Sequence, residues 1–315
     1  MLQNTGRSGT ESGGAYEMID RTFEEYKALF DEHLLDFIPD IDSKSITLYD
    51  SMKYSLSAGG KRLRPVLLMA ACEFCGGKAE EALPYAGAIE YLHTYSLIHD
   101  DMPCMDDDDL RRGMPTNHII YGEAVATLAG DGLQSAAYEA MQRDMLLYFD
   151  NFDALKSRIR AAYEIVKGAG VTGMVAGQIA DVEAENKKCS KELLNYIHIT
   201  KTASMIKAAV RAGARLGGCT DKELEDLTLY AENLGLAFQV CDDILDVEGD
   251  QELLGKEVGH DEANSKATYP ALYGLEESKK KFRELTDAAK EALADYYDNA
   301  ELFVDLAEML YARVY

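Results

Sequence analysis

In "DKELEDLTLYAENLGLAFQVCDDILDV", Asp221 to Val247, apolar residues recur at i, i+3 and i+4 rather than in alternation. That is the period of a helix with one buried face. "KELLNYIHITKTASMIKAAVRAGARL", Lys191 to Leu216, repeats the spacing. Good helix formers dominate both stretches, and β-branched runs bounded by turn residues are missing. Prolines number only six, and breaks fall at "SAGG" (57–60), "CGGK" (75–78), "MPTNH" (114–118), "LGGCTD" (216–221) and "GDQELLGKEVGHDEANSKATYP" (249–270). No repeat of fixed period and no long linker interrupts them. The pattern predicts an all-α chain, a single large helical bundle of roughly ten or more helices.

Composition narrows the class. The 315 residues are 47% hydrophobic, enough for a sizeable core. Lys and Arg total 32 against 56 Asp and Glu, a net charge of −24. Such a surface disfavours nucleic acid and anionic membranes, which need a basic footprint. An anionic substrate would have to be held by local clusters of Lys and Arg. No run of about 18 apolar residues predicts a membrane span. Residues 1–14 are rich in Gly, Ser and Thr and read as a disordered tail or an appended stretch, leaving 15–315 as one domain. Cys72, Cys75, Cys104, Cys189, Cys219 and Cys241 read as free thiols of a reducing cytoplasm. Cys72 and Cys75 make one CxxC, but no second pair follows at zinc-ribbon spacing.

The opening stretch also carries charge. At roughly 100° per residue, Gln239, Asp242, Asp243 and Asp246 share an arc of about 100°, while Phe238, Ile244 and Leu245 lie outside it. The spacing leaves two readings open, a metal site and a solvated face. Oxygen ligands without His or Cys in register favour a hard ion, Mg²⁺ before Ca²⁺. A second cluster lies in "SLIHDDMPCMDDDDLRRG", Ser96 to Gly113. Asp100 and Asp101 end an apolar helical run, Pro103 stops or kinks it, and one loop turn would bring Asp106 back to the same ion. Asp107, Asp108 and Asp109 read as a solvated rim. Neither cluster has the order of an EF-hand loop. Mg²⁺ between carboxylates usually implies bound phosphate.

Basic residues sit where a phosphate would need them. "GGKRLRP" sets Lys61, Arg62 and Arg64 after Gly59 and Gly60, whose open backbone amides suit an anion. Arg111 and Arg112 follow the first acid cluster. Lys201 and Thr202 in "KTASM", Lys256 in "LGKEVG" and Lys266 in "SKATYP" add cations near glycines or turns. Taken singly, each reads as a surface charge.

Together these segments resemble the trans-isoprenyl diphosphate synthases, the polyprenyl synthetase family. The match runs from about Ser51 to Tyr273 through "GGKRLRP", "HTYSLIHDDMPCMDDDDLRRG", "GDGL", "GQIADV", "KTASM", "FQVCDDILD" and "GKEVGHDEANSKATYP", all in family order. The resemblance implies the isoprenoid synthase fold, a helical bundle around a deep central cavity, and a homodimer. It implies that Asp100, Asp101 and Asp106, with Asp242, Asp243 and Asp246, hold Mg²⁺, about three ions per site. Arg111, Lys201, Thr202, Gln239, Lys256 and Lys266 would contact the diphosphate of an allylic substrate. Lys61, Arg64, His93 and Arg112 would hold that of isopentenyl diphosphate. The alternative for His93, a satisfied core histidine, loses ground beside these cations.

The chemistry so implied is ionisation of the allylic diphosphate, attack by the double bond of isopentenyl diphosphate and loss of a proton. Tyr five residues before the first motif, Tyr95, resembles the bacterial farnesyl type, with geranylgeranyl diphosphate the alternative product. Either Tyr95 or Ser96 would set chain length, and the helical wheel alone does not choose between them. Two positions depart from the common pattern. Ala203 stands where many relatives have Gly. The end, "LAEMLYARVY", carries only Arg313, which puts closure by the C-terminus in doubt. A non-catalytic subunit of a heteromeric synthase, an acidic interaction module and a terpene cyclase are the rival readings. Retention of both acid motifs and "GGKRLRP" stands against them.

Overall fold

The computed structural model describes residues 21–185, 187, 189–248 and 268–314. The tail read at 1–14, Lys256 and Lys266 therefore lie outside the described residues. Helix α1 (Phe23–His33) starts at Thr22, whose hydroxyl accepts the Glu25 N–H at 3.3 Å while the Glu25 carboxylate accepts the Thr22 N–H at 2.8 Å. This reciprocal cap satisfies two donors that a helix start leaves free. Helices α2 (Ile46–Ser57), α3 (Leu63–Phe74) and α4 (Ala79–Asp100) are parted by the "SAGG" and "CGGK" breaks. A hairpin of β1 (Leu110–Arg111) and β2 (Met114–Pro115) precedes α5 (Asn117–Tyr121), α6 (Glu123–Leu147), α7 (Phe152–Ala169), α8 (Met174–Ala184) and α9 (Lys191–Ile197).

A π-helical turn, His198–Ala203, joins α9 to α10 (Ser204–Gly217). The left-handed Gly218 then closes α10, and Thr220 with Glu223 repeats the reciprocal cap at α11 (Asp221–Glu248). Helices α12 (Tyr269–Tyr273), α13 (Leu275–Ala292) and α14 (Glu301–Tyr311) follow. The all-α expectation holds.

In the core, α3 packs on α4 and α10, α4 on α6, and α10 on α7 and α11, with α13 against the other side of α11. Alanines line these seams; Ala70 and Ala71 of α3, Ala126, Ala129 and Ala137 of α6, and Ala209 and Ala212 of α10 are wholly buried. Small side chains let helix backbones approach, while Tyr26, Phe30, Tyr91, Tyr230 and Phe303 fill the wider gaps. Two of the buried phenols are hydrogen-bonded to backbone: Tyr91 donates to the Leu34 carbonyl at 2.6 Å and Tyr230 to that of Phe303 at 2.8 Å.

Of the cations in "GGKRLRP", Arg62 is structural. It adopts a left-handed backbone (φ 54°) and buries its guanidinium against Glu90 (2.7 Å), Asp31 (2.9 Å) and the Leu56 carbonyl (2.8 Å). It thereby ties α1, α2 and α4 to the start of α3. Arg62→Met strands the buried Glu90 carboxylate and is expected to cost about 3–5 kcal/mol in urea unfolding. Adding Glu90→Leu should recover most of that loss. Equal loss in both variants would show that the pair does not carry the effect.

Candidate active site

The first acid motif sits where α4 ends. Asp100 is its last residue, and Asp101 donates its N–H to the Leu97 carbonyl at 3.1 Å. The chain then turns through Pro103 so that the Asp106 N–H reaches the Asp100 carbonyl at 2.9 Å. The two residues thus stand side by side at the helix end. Burial lifts the Asp100 carboxyl to about 6; the Asp106 and Asp101 charges add to it, while Lys201 and Arg111 oppose it. Asp101 is nearly fully buried and bound by Arg111, whose Nε lies 2.6 Å from its Oδ1. Asp108 also faces Arg111, at 3.6 Å, so part of the predicted solvated rim is engaged. The exposed Asp107 and Asp109 fit the rim reading.

The second motif lies on α11. Thr202 donates to Gln239 Oε1 at 2.7 Å, and Gln239 Nε2 donates to Asp243 Oδ1 at 3.0 Å. The other oxygen of Asp243 accepts the Tyr269 N–H at 2.7 Å and has His198 Nε2 at 3.4 Å. Asp243 is thus buried and turned toward the π turn and α12, whereas Asp242 and Asp246 remain half-buried. Asp242 faces Arg313, the lone cation of the C-terminus, at 3.3 Å. The doubted C-terminal end therefore does reach the second motif. Lys201 rises from the π turn and pairs with Asp181 of "GQIADV". Gly177 makes room for that turn: a Cβ there would lie 2.2 Å from the Lys201 N. Ala203, the departure from the common Gly, is buried against the bare backbone of Gly235.

The cations form a third group beside α3. The Arg112 guanidinium donates to the Gly59 carbonyl and lies flat on Gly60, where a Cβ would stand 2.7 Å from Nη1. With φ of +139° as well, position 60 admits only glycine. Burial, then the charges of Arg64, Arg112 and Arg111, keep His93 well below its ordinary pKa and so neutral. Burial and Arg112 likewise lower Arg64, whose Nε is buried with no hydrogen-bond partner. Crowded cations with an unspent buried donor are suited to an anion. Lys61 is exposed, with its Nζ 5.8 Å from the Phe238 ring, and Arg313 stands 5.8 Å from the same ring. Phe238 thus bridges the cation group and the second motif.

Sequence reasoning missed Asp181, His198 and Tyr269. Asp181 was visible inside "GQIADV" as an acid in an apolar segment. The π turn that aims His198, and the return of the chain that sets Tyr269 on Asp243, leave no periodic signal. Beneath the first motif, Tyr95 is buried, its ring edge-on to His99 at 5.7 Å between centroids. Ser96 is half-buried and donates to the His93 carbonyl at 2.8 Å.

Likeness to known proteins identifies the family. A family model described as polyprenyl synthetase matches residues 46–304. A geranylgeranyl diphosphate synthase from Cyanophora paradoxa is 46% identical, covering 84% of this chain and 87% of its own. A farnesyl diphosphate synthase from Geobacillus stearothermophilus is 43% identical over 94% of this chain and 98% of its own. The crystal structure of an FPP/GFPP synthase from Zymomonas mobilis superposes with a TM-score of 0.79 at 32% identity, covering 91% and 96% of the two chains. The chain belongs to the polyprenyl synthetase family and has its isoprenoid synthase fold. It is a trans-prenyltransferase.

Proposed function

We propose that this enzyme makes farnesyl diphosphate, adding isopentenyl diphosphate to dimethylallyl and geranyl diphosphates with Mg²⁺. The observation that carries the reading is the π turn that serves both acid motifs, Lys201 acting on Asp100 and Thr202 bound to Gln239 beside Asp243, together with a cation group whose buried Arg64 Nε has no hydrogen-bond partner. Two anions with different needs fit there, one held with metal and one by cations alone.

The donor set fits a hard cation. It is all oxygen, and burial holds the Asp100 carboxyl near 6, a cost that a divalent ion removes. No three acid, His or Cys side chains among the described residues converge on one point. Mg²⁺ is commonly held by one or two carboxylates plus substrate phosphates. Asp100, Asp106, Asp242 and Asp246 would be its ligands, with Asp101 and Asp243 in the same motifs. Both oxygens of Asp243 already have protein partners, so its main part is to hold Gln239 in place. When bound, the metal supplies Lewis-acid neutralisation of the departing diphosphate.

The chain's own residues do the rest. Arg111, Lys201, Thr202 and Gln239, with Lys256 and Lys266 from outside the described residues, bind and orient the allylic diphosphate. Their fixed charges lie where negative charge grows as the C–O bond breaks, which lowers the barrier to the allylic cation. Lys61, Arg64, Arg112 and neutral His93 hold isopentenyl diphosphate with its double bond toward that cation. The apolar helix walls exclude water. The new C–C bond forms, and the proton is lost to the released diphosphate.

Geranylgeranyl diphosphate is the competing product, favoured by the identity to the Cyanophora enzyme. We also read as a homodimer face the exposed apolar side chains Leu128 on α6, Ile159 and Tyr163 on α7 and Ile179 on α8. Six unpaired cysteines fit a cytoplasmic setting.

The chain alone, given isopentenyl and allylic diphosphates with Mg²⁺, should yield mainly C15 product and none after exhaustive EDTA treatment. Activity surviving EDTA would remove the metal assignment, and no product at all would favour the non-catalytic subunit. The two diphosphate subsites make a further expectation. Lys61→Ala and Arg112→Ala should raise KM for isopentenyl diphosphate about tenfold or more, a loss of one charged contact, with little change for the allylic partner. Arg111→Ala should do the reverse. Equal effects on both substrates in all three variants would contradict the split.

A further inference from the structure

Away from the active site, α3 and α10 end side by side. Cys75 caps α3, and Cys72 stands one turn earlier. A Cβ at Gly217 would lie 2.8 Å from the Cys75 Cβ and 2.2 Å from the Cys72 carbonyl oxygen, so the last turn of α10 rests directly on the cysteine turn. The left-handed Gly218 then swings Cys219, whose N–H reaches the Ala214 carbonyl at 3.1 Å, back toward α3, so that its thiol and that of Cys75 are neighbours. Cys72 points elsewhere. Its Sγ is 3.5 Å from the Lys78 carbonyl and would lie 2.6 Å from a Cβ at Gly77. The CxxC of the sequence is thus split, and the partner of Cys75 comes from the α10–α11 turn.

The two thiols are not equivalent. Cys219 is half-exposed, with Arg215 and Arg211 on the preceding turns of α10 and Glu223 opposing them. The hydrogen bond with Cys75, then Arg215, hold its thiol below the ordinary value against the effect of burial. Cys75 is buried, and the same contact together with burial pushes its thiol up. One sulfur is reachable and nucleophilic; the other is shielded and already in place.

We propose that Cys219 and Cys75 form a peroxide-responsive pair that closes a reversible disulfide between α3 and the α10–α11 turn. The Cys219 thiolate attacks one oxygen of hydrogen peroxide, breaking the O–O bond to give a sulfenic acid and, after protonation, water. The Cys75 sulfur then displaces the sulfenic hydroxyl, forming the S–S bond and releasing a second water. The cysteine pair is oxidised by two electrons, and the peroxide is reduced to two waters. A thiol reductant reverses the step.

The crosslink lies at the far end of α3 from Arg64, about 16 Å away along the helix at 1.5 Å per residue. It should therefore leave turnover intact and act on stability, because it closes a long loop of the unfolded chain.

The test treats the full reduced chain with hydrogen peroxide and maps a non-reduced digest by mass spectrometry. The expected result is a Cys75–Cys219 linked peptide, turnover within twofold of the reduced enzyme, and thermal inactivation slowed roughly tenfold. Dithiothreitol should reverse both link and protection. Cys219→Ser should lose both, and Cys72→Ser should keep both. A Cys72–Cys75 link, Cys219 oxidised to sulfinic acid without a link, or unmodified Cys75 and Cys219 would each overturn the proposal. The wild-type map decides even if a cysteine variant folds poorly.

Discussion

Asp100→Ala and Asp242→Ala each lose about 10³-fold or more in turnover, the scale of removing groups that stabilise developing charge. The helical circular dichroism of both variants should match that of the wild type. The stability readout is what separates a metal-holding acid from a structural one. Burial first, then Asp106, raises Asp100 to about 6 in the folded chain. A raised carboxyl subtracts stability as pH climbs from the ordinary 3.8 to about 6, because over that range the unfolded chain gives up its proton and the folded one does not; above it the loss is constant. At pH 7 and above, Asp100→Ala should therefore match or exceed the metal-free wild type, by up to about 3 kcal/mol at 1.36 kcal/mol per pKa unit. The gain should shrink as pH falls from about 6 and vanish only below the ordinary value of 3.8, where the carboxyl is protonated in both states.

Asp242→Ala breaks a partly exposed pair with Arg313, a contact of small worth, and its unfolding midpoint should move little. Mg²⁺ with inorganic diphosphate should raise the melting temperature of the wild type and much less that of either variant. Thermal scans showing that both substitutions unfold the apo protein would make these acids structural. Near-normal turnover would be equally damaging.

Much of this was legible in the sequence because helices announce their faces and their ends. The breaks at "SAGG", "CGGK" and "LGGCTD" fall where α2, α3 and α10 stop, since Gly tolerates the left-handed backbone that ends a helix. The acids of α11 were legible as one arc. The wheel could not divide that arc, for Asp243 turns inward only because Tyr269 returns from a distant segment to donate to it. Nor could adjacency sort "GGKRLRP". Arg62 is buried between Glu90 and Asp31 while Lys61 is exposed, a difference set by one left-handed residue rather than by spacing. The π turn is opaque for the same reason: one extra residue per turn shifts His198 and Lys201 off the α-helical register without changing composition.

Tyr95→Ala should convert a mainly C15 product into C20 and longer chains. On the proposed reading, the growing tail starts at the first acid motif and extends along the walls beneath Asp100. One wall is the seam between α4 and α6, located by His99, whose Nε2 lies where a Cβ at Gly130 would be only 2.1 Å away. Tyr95 is one turn earlier on the same side, edge-on to His99. Its phenol is pushed up to about 12 by burial, with Tyr138 of α6 and Asp100 adding to it, so both the opposite wall and the motif act on that hydroxyl. Ser96 is rotated about 100° from Tyr95, and its hydroxyl is spent on its own helix. We therefore propose Tyr95, rather than Ser96, as the bulky group that stops the tail. Interiors are close-packed, so a chain one isoprene unit longer has no room until a side chain of that size is removed. Truncation to Ala should cost about 3–5 kcal/mol of stability, as for other large buried side chains, and the longer product recovers part of it by filling the space. Tyr95→Phe keeps the volume and should keep C15, and Ser96→Ala should change nothing. Product lengths read by chromatography after phosphatase treatment decide the matter. An unchanged C15 product from Tyr95→Ala would place the stop on another residue, and a wild-type enzyme making mostly C20 would mean that a buried tyrosine here does not close the floor.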